Sequence, residues 1–495
     1  MMKLYAKASL ICPLLAGAMI IACNKNDDKQ ETPPPASGIE LKTQSVTPSL
    51  VKTLSGYDAL QIFPLISSDD KLAGSPDFIY GAQPDGAGII KDPAGDGYIM
   101  INNHEILCSV SRVYLDKNLK PQKGEYIVDK YGGMQKRLCS ATMATPAEHG
   151  FGPLFFTAGE SGAESMIHGI NPLASTTEKR SNRTLAALGK CSAENAVPLN
   201  KNAYPGKTAI FIGEDDGKGQ VNLYLSNTVG DVNDGKLYML RRTDLNTVET
   251  DMKVGTTYDV EFVEYDNVKT STGDQLATQT VDKKAIQFAR VEDLDYGKGS
   301  AENNRKLYFT ATGVSQSDKS TPVEGFTMWG RVYRLELDPA TPLKGKLTPL
   351  IDGNVDPGNS IVNPDNLCVT QNYVYIQEDG DSFYKDNKHD GRIWQYNIAT
   401  KAIKPMLEMN HRRSDATFNG KYNPSNDQRL SSWEYGAMYD ISDLIGKPNT
   451  FVVNIHPHTW RDDKFKDADG SGLNTDPAAG HTEGGQTVIV TGVEK

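Results

Sequence analysis

The chain is predicted to be all-β, and within that class a β-propeller with loop insertions. Three observations point there. Strand-like runs rich in β-branched and aromatic residues dominate from about residue 50 onward, a composition that suits pleated, half-buried surfaces. Long helical periodicity is scarce, and only 181–190 and 195–203 are compatible with a helical turn or two. A Gly-led strand recurs, as Gly235-Lys-Leu-Tyr-Met-Leu-Arg, Gly330-Arg-Val-Tyr-Arg-Leu-Glu-Leu-Asp and Gly391-Arg-Ile-Trp-Gln-Tyr-Asn. Repeated strand units of this kind are what propeller blades are made of. A large β-sandwich with scattered acidic loops is the competing architecture.

In chain order, the expected strands are Gly97-Tyr-Ile-Met-Ile, Leu154-Phe-Phe-Thr, Lys207-Thr-Ala-Ile-Phe-Ile, Lys306-Leu-Tyr-Phe-Thr, Tyr373-Val-Tyr-Ile, Arg392-Ile-Trp-Gln-Tyr and Thr450-Phe-Val-Val-Asn-Ile. Each is bounded by Gly, Asn, Asp or Pro, residues that break pairing and start turns.

The N-terminus reads as export machinery and not as fold. Lys3 and Lys7 precede an apolar run, Ala8 to Ala22, that is short for a membrane span. The run ends in Ile20-Ile21-Ala22-Cys23, the pattern of a bacterial lipobox. Residues 1–22 are therefore expected to be a lipoprotein signal peptide. Residues 23–45 would be a lipidated Cys23 and a polar, Pro-rich tether. Residues 46–495 would be a single propeller domain. This places the chain at the cell envelope as a lipid-anchored lipoprotein of the outer membrane. The Asp27-Asp28 pair resembles a surface-export signal. An uncleaved signal anchor is the alternative.

A formal net charge of −11 argues against nucleic acid as a partner, which needs a basic face. Beyond Cys12 and Cys23 the cysteines are Cys108, Cys139, Cys191 and Cys368. They are too few for a disulfide scaffold, although one or two bridges fit an exported chain. No CxxC pair occurs, and no GxSxG, Walker or HExxH motif.

The functional signal is a series of apolar runs ending in acids: Ile101-Asn-Asn-His-Glu105, Ile212-Gly-Glu-Asp-Asp216, Val291-Glu-Asp293, Asn363-Pro-Asp-Asn366, Ile376-Gln-Glu-Asp379 and Trp433-Glu434. Strands that deliver carboxylates to one channel create a conflict, because like charges resist ionising together. Cations resolve it, and hard oxygen ligands suit Ca²⁺. Glu292, Asp293, Asp365, Glu378, Asp379 and Glu434 are the candidate ligands. Arg290 shares a strand side with Glu292 and matches an anionic substrate. Cys139 is either a soft thiolate ligand or an apolar core residue. His104, His456 and His458 are further candidate ligands. Asp467-Ala-Asp469-Gly-Ser471-Gly472 resembles the start of a calcium loop, with Ala478 where the bidentate Glu would stand.

With gaps, from about residue 50 to residue 460, the chain resembles the PhoX-type alkaline phosphatase family and its phytase-like branch. The stretches that carry the resemblance are Asn102-Asn-His-Glu105, Arg137-Leu-Cys-Ser-Ala141 with Phe156-Thr-Ala-Gly-Glu160, Ala193-Glu194, Gly213-Glu-Asp-Asp216, Arg290-Val-Glu-Asp293, Asp365-Asn-Leu with Gln377-Glu-Asp-Gly380, and Glu434 with Asp440-Ile-Ser. The resemblance implies a six-bladed propeller whose channel holds Fe³⁺ and Ca²⁺ and hydrolyses phosphate monoesters without a protein nucleophile. It implies Cys139 as the iron ligand and Glu160, Glu194, Glu292 and Asp365 as carboxylate ligands. Asn103, His104 and Arg290 would hold phosphate or support the cluster.

The expected function is a cell-envelope metal-dependent phosphatase acting on phosphorylated small molecules. The alternatives are a non-catalytic calcium-binding propeller lipoprotein that engages a surface glycan or protein partner, and a one-calcium propeller lactonase or related ester hydrolase.

Overall fold

The computed structural model describes residues 38–131, 137–380 and 382–495; Cys23 and the signal peptide lie outside the described residues. Every strand expected from the sequence is present, usually extended by a residue or two. Tyr98–His104, Leu154–Glu160, Thr208–Glu214, Lys306–Ala311, Tyr373–Glu378, Arg392–Asn397 and Thr450–His456 are the observed bounds. The recurring Gly-led runs become Lys236–Arg242, Arg331–Asp338 and Arg392–Asn397.

The strands form five antiparallel sheets in a propeller-like arrangement. Four are blade-like. Pro84–Lys91, Tyr98–His104, Ser109–Leu115 and Pro121–Val128 make one, and Arg137–Ala144, Leu154–Glu160 and Ile167–Ile170 the next. Pro364–Val369 leads a third, closed on its outer side by Val51–Thr53. Glu434–Asp440 leads the fourth, completed by Thr450–His456, Gln486–Thr491 and Gln61–Ser67. The fifth is a nine-stranded sheet. It runs from Ala193–Pro198 through Tyr258–Glu264 to Leu294–Tyr296, and it curls until those two end strands touch.

The leading strands pack side by side around a centre. Pro84–Lys91 lies against Arg137–Ala144, that strand against Ala193–Pro198, and so on through Leu294–Tyr296, Pro364–Val369 and Glu434–Asp440, which returns to Pro84–Lys91. Apolar clusters fill the spaces between sheets. Phe211, Phe288, Phe309 and Tyr333 pack within the nine-stranded sheet, and Trp433, Tyr435, Phe451 and Trp460 between the last two blades.

Two local expectations differ from the structure. Segment 195–203 starts as the end of the strand Ala193–Pro198 and then leaves it in a turn, not a helix; both faces of that strand are buried in the channel wall, and burial on two sides outweighs helical propensity. The one sizeable helix among the described residues is Gly273–Asp282, opened by a capping box between Thr272 and Gln275. Its short polar sequence carries little periodicity.

Candidate metal centre

The leading strands share a defect near their starts. Register shifts occur between Pro84 and Ala87, Leu138 and Ala141, Ala193 and Ala196, Pro364 and Leu367, and Tyr435 and Met438. A bulge unpairs a residue and re-aims its side chain. The residues inside these shifts include Asp85, Cys139, Glu194, Asp365 and Gly436. Glu292 stands just before Leu294–Tyr296, in the comparable place. Gln83, Arg290 and Asn363, each two residues before an acid, have left-handed φ of 48°, 64° and 47°. Such a conformation persists in a non-glycine residue only when its surroundings hold it. At Arg290 they do: its N–H donates to Asp216 O, and its carbonyl accepts from Thr312 N–H.

Second strands add to the same place. Antiparallel pairing sets the start of one strand opposite the end of the next. Arg137 faces Glu160, Ala193 faces Glu214, Pro364 faces Glu378 and Glu434 faces His456. Glu105, Glu160, Asp215, Asp379 and His456 therefore join Asp85, Cys139, Glu194, Glu292, Asp365 and Glu434. The expectation that inner strands deliver the acids holds for about half of them; second strands supply the rest.

The donors gather in groups whose ligand atoms lie within 4.8 Å of one another: Asp85, Glu105 and Cys139; Glu194, Glu292 and Asp365; Asp365, Asp379 and Glu434; and Glu434, His456 and His458. Asp365 and Glu434 each belong to two groups, which links the last three. Burial first, and neighbouring carboxylates next, push the carboxyls of Glu194 and Asp365 well above their ordinary range. Burial likewise raises Asp85 and Glu292, although His456 and Arg290 pull the other way. Glu160 is pushed up to about 8 by burial, then by Asp215 and Glu105. Burial and neighbouring acids, Glu194 foremost, raise the Cys139 thiol, whose Sγ lies 3.4 Å from Glu160 Oε2. Asp365 Oδ1 is buried and has no hydrogen-bond partner among the described residues. This donor set fits cations: hard oxygens in excess, one soft sulfur, and a free oxygen lone pair.

Two arginines border the acids. Arg137 Nη1 is 2.7 Å from Glu105 Oε1 and 3.8 Å from Glu160 Oε2. Arg290 reaches Asp215 and Glu292.

Other expected residues are placed elsewhere. Glu378 accepts from Val362 N–H, Arg392 N–H and Trp394 Nε1–H, so its carboxylate is committed to its own blade. Asn103 donates to Cys139 O and Thr157 Oγ1 and holds the Cys139 strand in place. His104 packs between the rings of Tyr80 and Tyr126 and bonds Ser111. Burial keeps it neutral, with its pKa lowered to about 3. Asp293 turns to Asn195 and Leu367 N–H. Cys108, Cys139, Cys191 and Cys368 are free thiols. In the 467–472 loop, Asp467 accepts from Gly472 and Asn474 N–H, and Asp469 from Ser471 N–H. Sequence patterns alone do not single out Asp85, Arg137 and Glu483 as site residues. Gln83-Pro-Asp85-Gly and Asn363-Pro-Asp365-Asn are near copies, a signal that could have found Asp85.

No protein-family profile matches the chain, and no curated protein matches it. Among solved structures, Pseudomonas fluorescens PhoX in complex with vanadate, a transition state analogue, superposes with a TM-score of 0.59 at 14% identity, over 92% of this chain and 97% of that one. An α-L-arabinofuranosidase, Arb93A from Fusarium graminearum, gives a TM-score of 0.40 at 10% identity, over 87% of this chain and 98% of its own. At such identities the likeness to PhoX concerns the fold, an all-β propeller-like arrangement.

Proposed function

We propose that the chain is a metal-dependent phosphatase, similar to PhoX-type alkaline phosphatases, that hydrolyses phosphate monoesters of small molecules. The observation that carries this reading is the ring of buried, mutually repelling donors at the bulged strand starts, with Arg137 and Arg290 at its border. Its fold likeness to a PhoX bound to vanadate supports the same chemistry. Counting the nine-stranded sheet as two blades makes the propeller six-bladed.

Asp85, Glu105, Cys139, Glu194, Glu292, Asp365, Asp379 and Glu434 would hold the metals. The Cys139 thiolate would favour a transition metal over Ca²⁺, Fe³⁺ by the PhoX-type resemblance, and the all-oxygen groups would favour Ca²⁺. Metals held by these residues would supply charge to offset the phosphate and Lewis acidity to activate water. Arg290, held by Asp215 and Glu292, would bring positive charge beside the phosphate and can re-aim its planar fork of donors toward phosphate oxygens. Asn103 positions the Cys139 backbone. Acylation of Cys23 would tether the enzyme to the cell envelope. Among the described residues no helix is long and apolar enough to cross a membrane.

The test is hydrolysis of p-nitrophenyl phosphate by the full chain reconstituted with Ca²⁺ and iron. Turnover supports the reading. Fully metallated protein without turnover would overturn it in favour of a calcium-binding propeller lipoprotein with a surface glycan or protein partner.

A further inference from the structure

The Glu434 corner of the centre differs in kind from the rest. On four leading strands the bulge carries a ligand-type residue, Asp85, Cys139, Glu194 or Asp365; on the fifth it carries Gly436. A Cβ at Gly436 would stand 2.8 Å from His456 Nε2 and 2.8 Å from Pro84 O. The missing side chain is what admits the His456 imidazole from the second strand. His456 is fully buried, and its Nδ1 lies 3.3 Å from Glu434 Oε1. The other Glu434 oxygen faces His458 Nε2 at 3.0 Å.

His458 is oriented from behind. Its Nδ1 lies 2.9 Å from Glu483 Oε2. Arg461 Nη2 donates to Glu483 Oε1 at 2.7 Å, and Gln83 Nε2 donates to Glu483 Oε2 at 2.9 Å. A carboxylate that accepts a hydrogen bond from Nδ1–H orients the ring and favours the tautomer in which Nε2 is left to ligate a cation beside Glu434. This carboxylate–histidine relay is the arrangement that tunes imidazole as a metal ligand.

We infer that Glu434, His456 and His458 form a separate nitrogen-rich site for a borderline divalent transition metal of the Zn²⁺ or Co²⁺ class, with Glu483 as its positioning residue. The spacing fits. Ligands about 2.0–2.1 Å from a tetrahedral metal stand roughly 3.3 Å apart; the two Glu434–imidazole distances, one to each carboxylate oxygen, are close to that, and the three ligand atoms all lie within 4.8 Å of one another. Two imidazoles and one carboxylate suit such metals over Ca²⁺, which takes oxygen. His458 is 25% exposed on its side chain and provides the entry path. The inference rests on the metal-centre reading only at the shared Glu434; the two imidazoles are its own donors.

The experiment uses the full chain, stripped by chelation and then saturated with Ca²⁺. Co²⁺ is added as a spectroscopic probe, and Zn²⁺ is titrated by calorimetry. The expected result is one tight Zn²⁺ per chain, a visible Co²⁺ band typical of nitrogen-ligated tetrahedral cobalt, and imidazole scattering at the zinc edge. Glu483→Gln should weaken Zn²⁺ binding roughly 10- to 100-fold. His456→Gln and His458→Gln should weaken it further, while Ca²⁺ still raises the melting temperature of each variant. Zn²⁺ affinity unchanged in both histidine variants, or a zinc-edge spectrum of wild type without imidazole, overturns the inference, whatever the Ca²⁺ response. Loss of the Ca²⁺ response in wild type would strike the larger metal-centre reading, while imidazole at the zinc edge would still uphold this site.

Discussion

The Arg290 guanidinium spans two strands' worth of negative charge, with Nε 2.8 Å from Asp215 Oδ1 and Nη2 2.5 Å from Glu292 Oε1. Removing it leaves two buried carboxylates without their cation. Arg290→Ala should therefore destabilise the chelated protein by about 3–5 kcal/mol, and Ca²⁺ should restore most of that loss. Arg290→Lys should retain metal but lose turnover by roughly tenfold or more, because a point charge replaces a bidentate fork. Denaturant melts with and without Ca²⁺, set beside phosphatase rates, check both halves.

Chelation should lower the melting temperature of wild type, since cations that bind only the folded chain add to its stability. At about a thousandfold excess over Kd the gain is about 4 kcal/mol. Calorimetric scans in chelator and in Ca²⁺ measure it. Coincident scans would sink the metal-filled channel.

Cys139→Ala should lose iron and activity while folding normally. The thiol is buried, but its removal deletes one small atom group, a cost of about 1 kcal/mol. Iron content by elemental analysis and a urea midpoint separate the two effects. Wild-type activity in this variant excludes a sulfur ligand.

Glu378→Ala should behave in the opposite way. It strands the donors Val362 N–H, Arg392 N–H and Trp394 Nε1–H, at about 1–3 kcal/mol for each buried group left unsatisfied. Stability should fall steeply, with Ca²⁺ stoichiometry unchanged in the fraction that folds. A lost calcium in a stable variant would return Glu378 to the ligand set.

His168 predicts a pH dependence. It is fully buried, and neither ring nitrogen has a partner among the described residues. Burial, with Arg183 nearby, lowers its pKa to about 4. The unfolded imidazole binds a proton near pH 6.5, so below that pH the unfolded state gains protons the folded state refuses. Stability is thus lost as pH falls from about 6.5 toward 4, by about 3 kcal/mol at the limit. His168→Leu should flatten that limb. Urea midpoints at pH 7 and pH 4.5 decide it, and an equal fall in both proteins would refute the assignment.

Much of the centre was legible because an acid at a strand end is visible as an apolar run followed by a carboxylate. What was not legible follows from pleating. Successive side chains of extended chain point to opposite sides, and at or just beyond the strand ends only Asp379 of Glu378 and Asp379, and only Glu292 of Glu292 and Asp293, joins the channel groups. A pair of acids cannot announce which member turns inward. Asp85 was hidden for another reason: Pro-Asp-Gly reads as a turn, and only its bulge makes it a ligand position. The strands were legible from β-branched runs. The curled nine-stranded sheet was not, since its joining strand Tyr258–Glu264 pairs with a partner far along the chain, Thr341–Asp352.

The strand Gln61–Ser67 completes its sheet beside Gln486–Thr491, and Leu50 N–H donates to Gln486 Oε1 across 436 positions. The ring is therefore shut by the two extremities of the folded region. Asp85 and Glu434, carried by the first and last leading strands, become neighbours only when that latch engages. During synthesis the early strands must wait for nearly the whole chain to emerge, so the donor ring is assembled at the end of folding, and a chain shortened at either extremity forfeits the centre along with its closure.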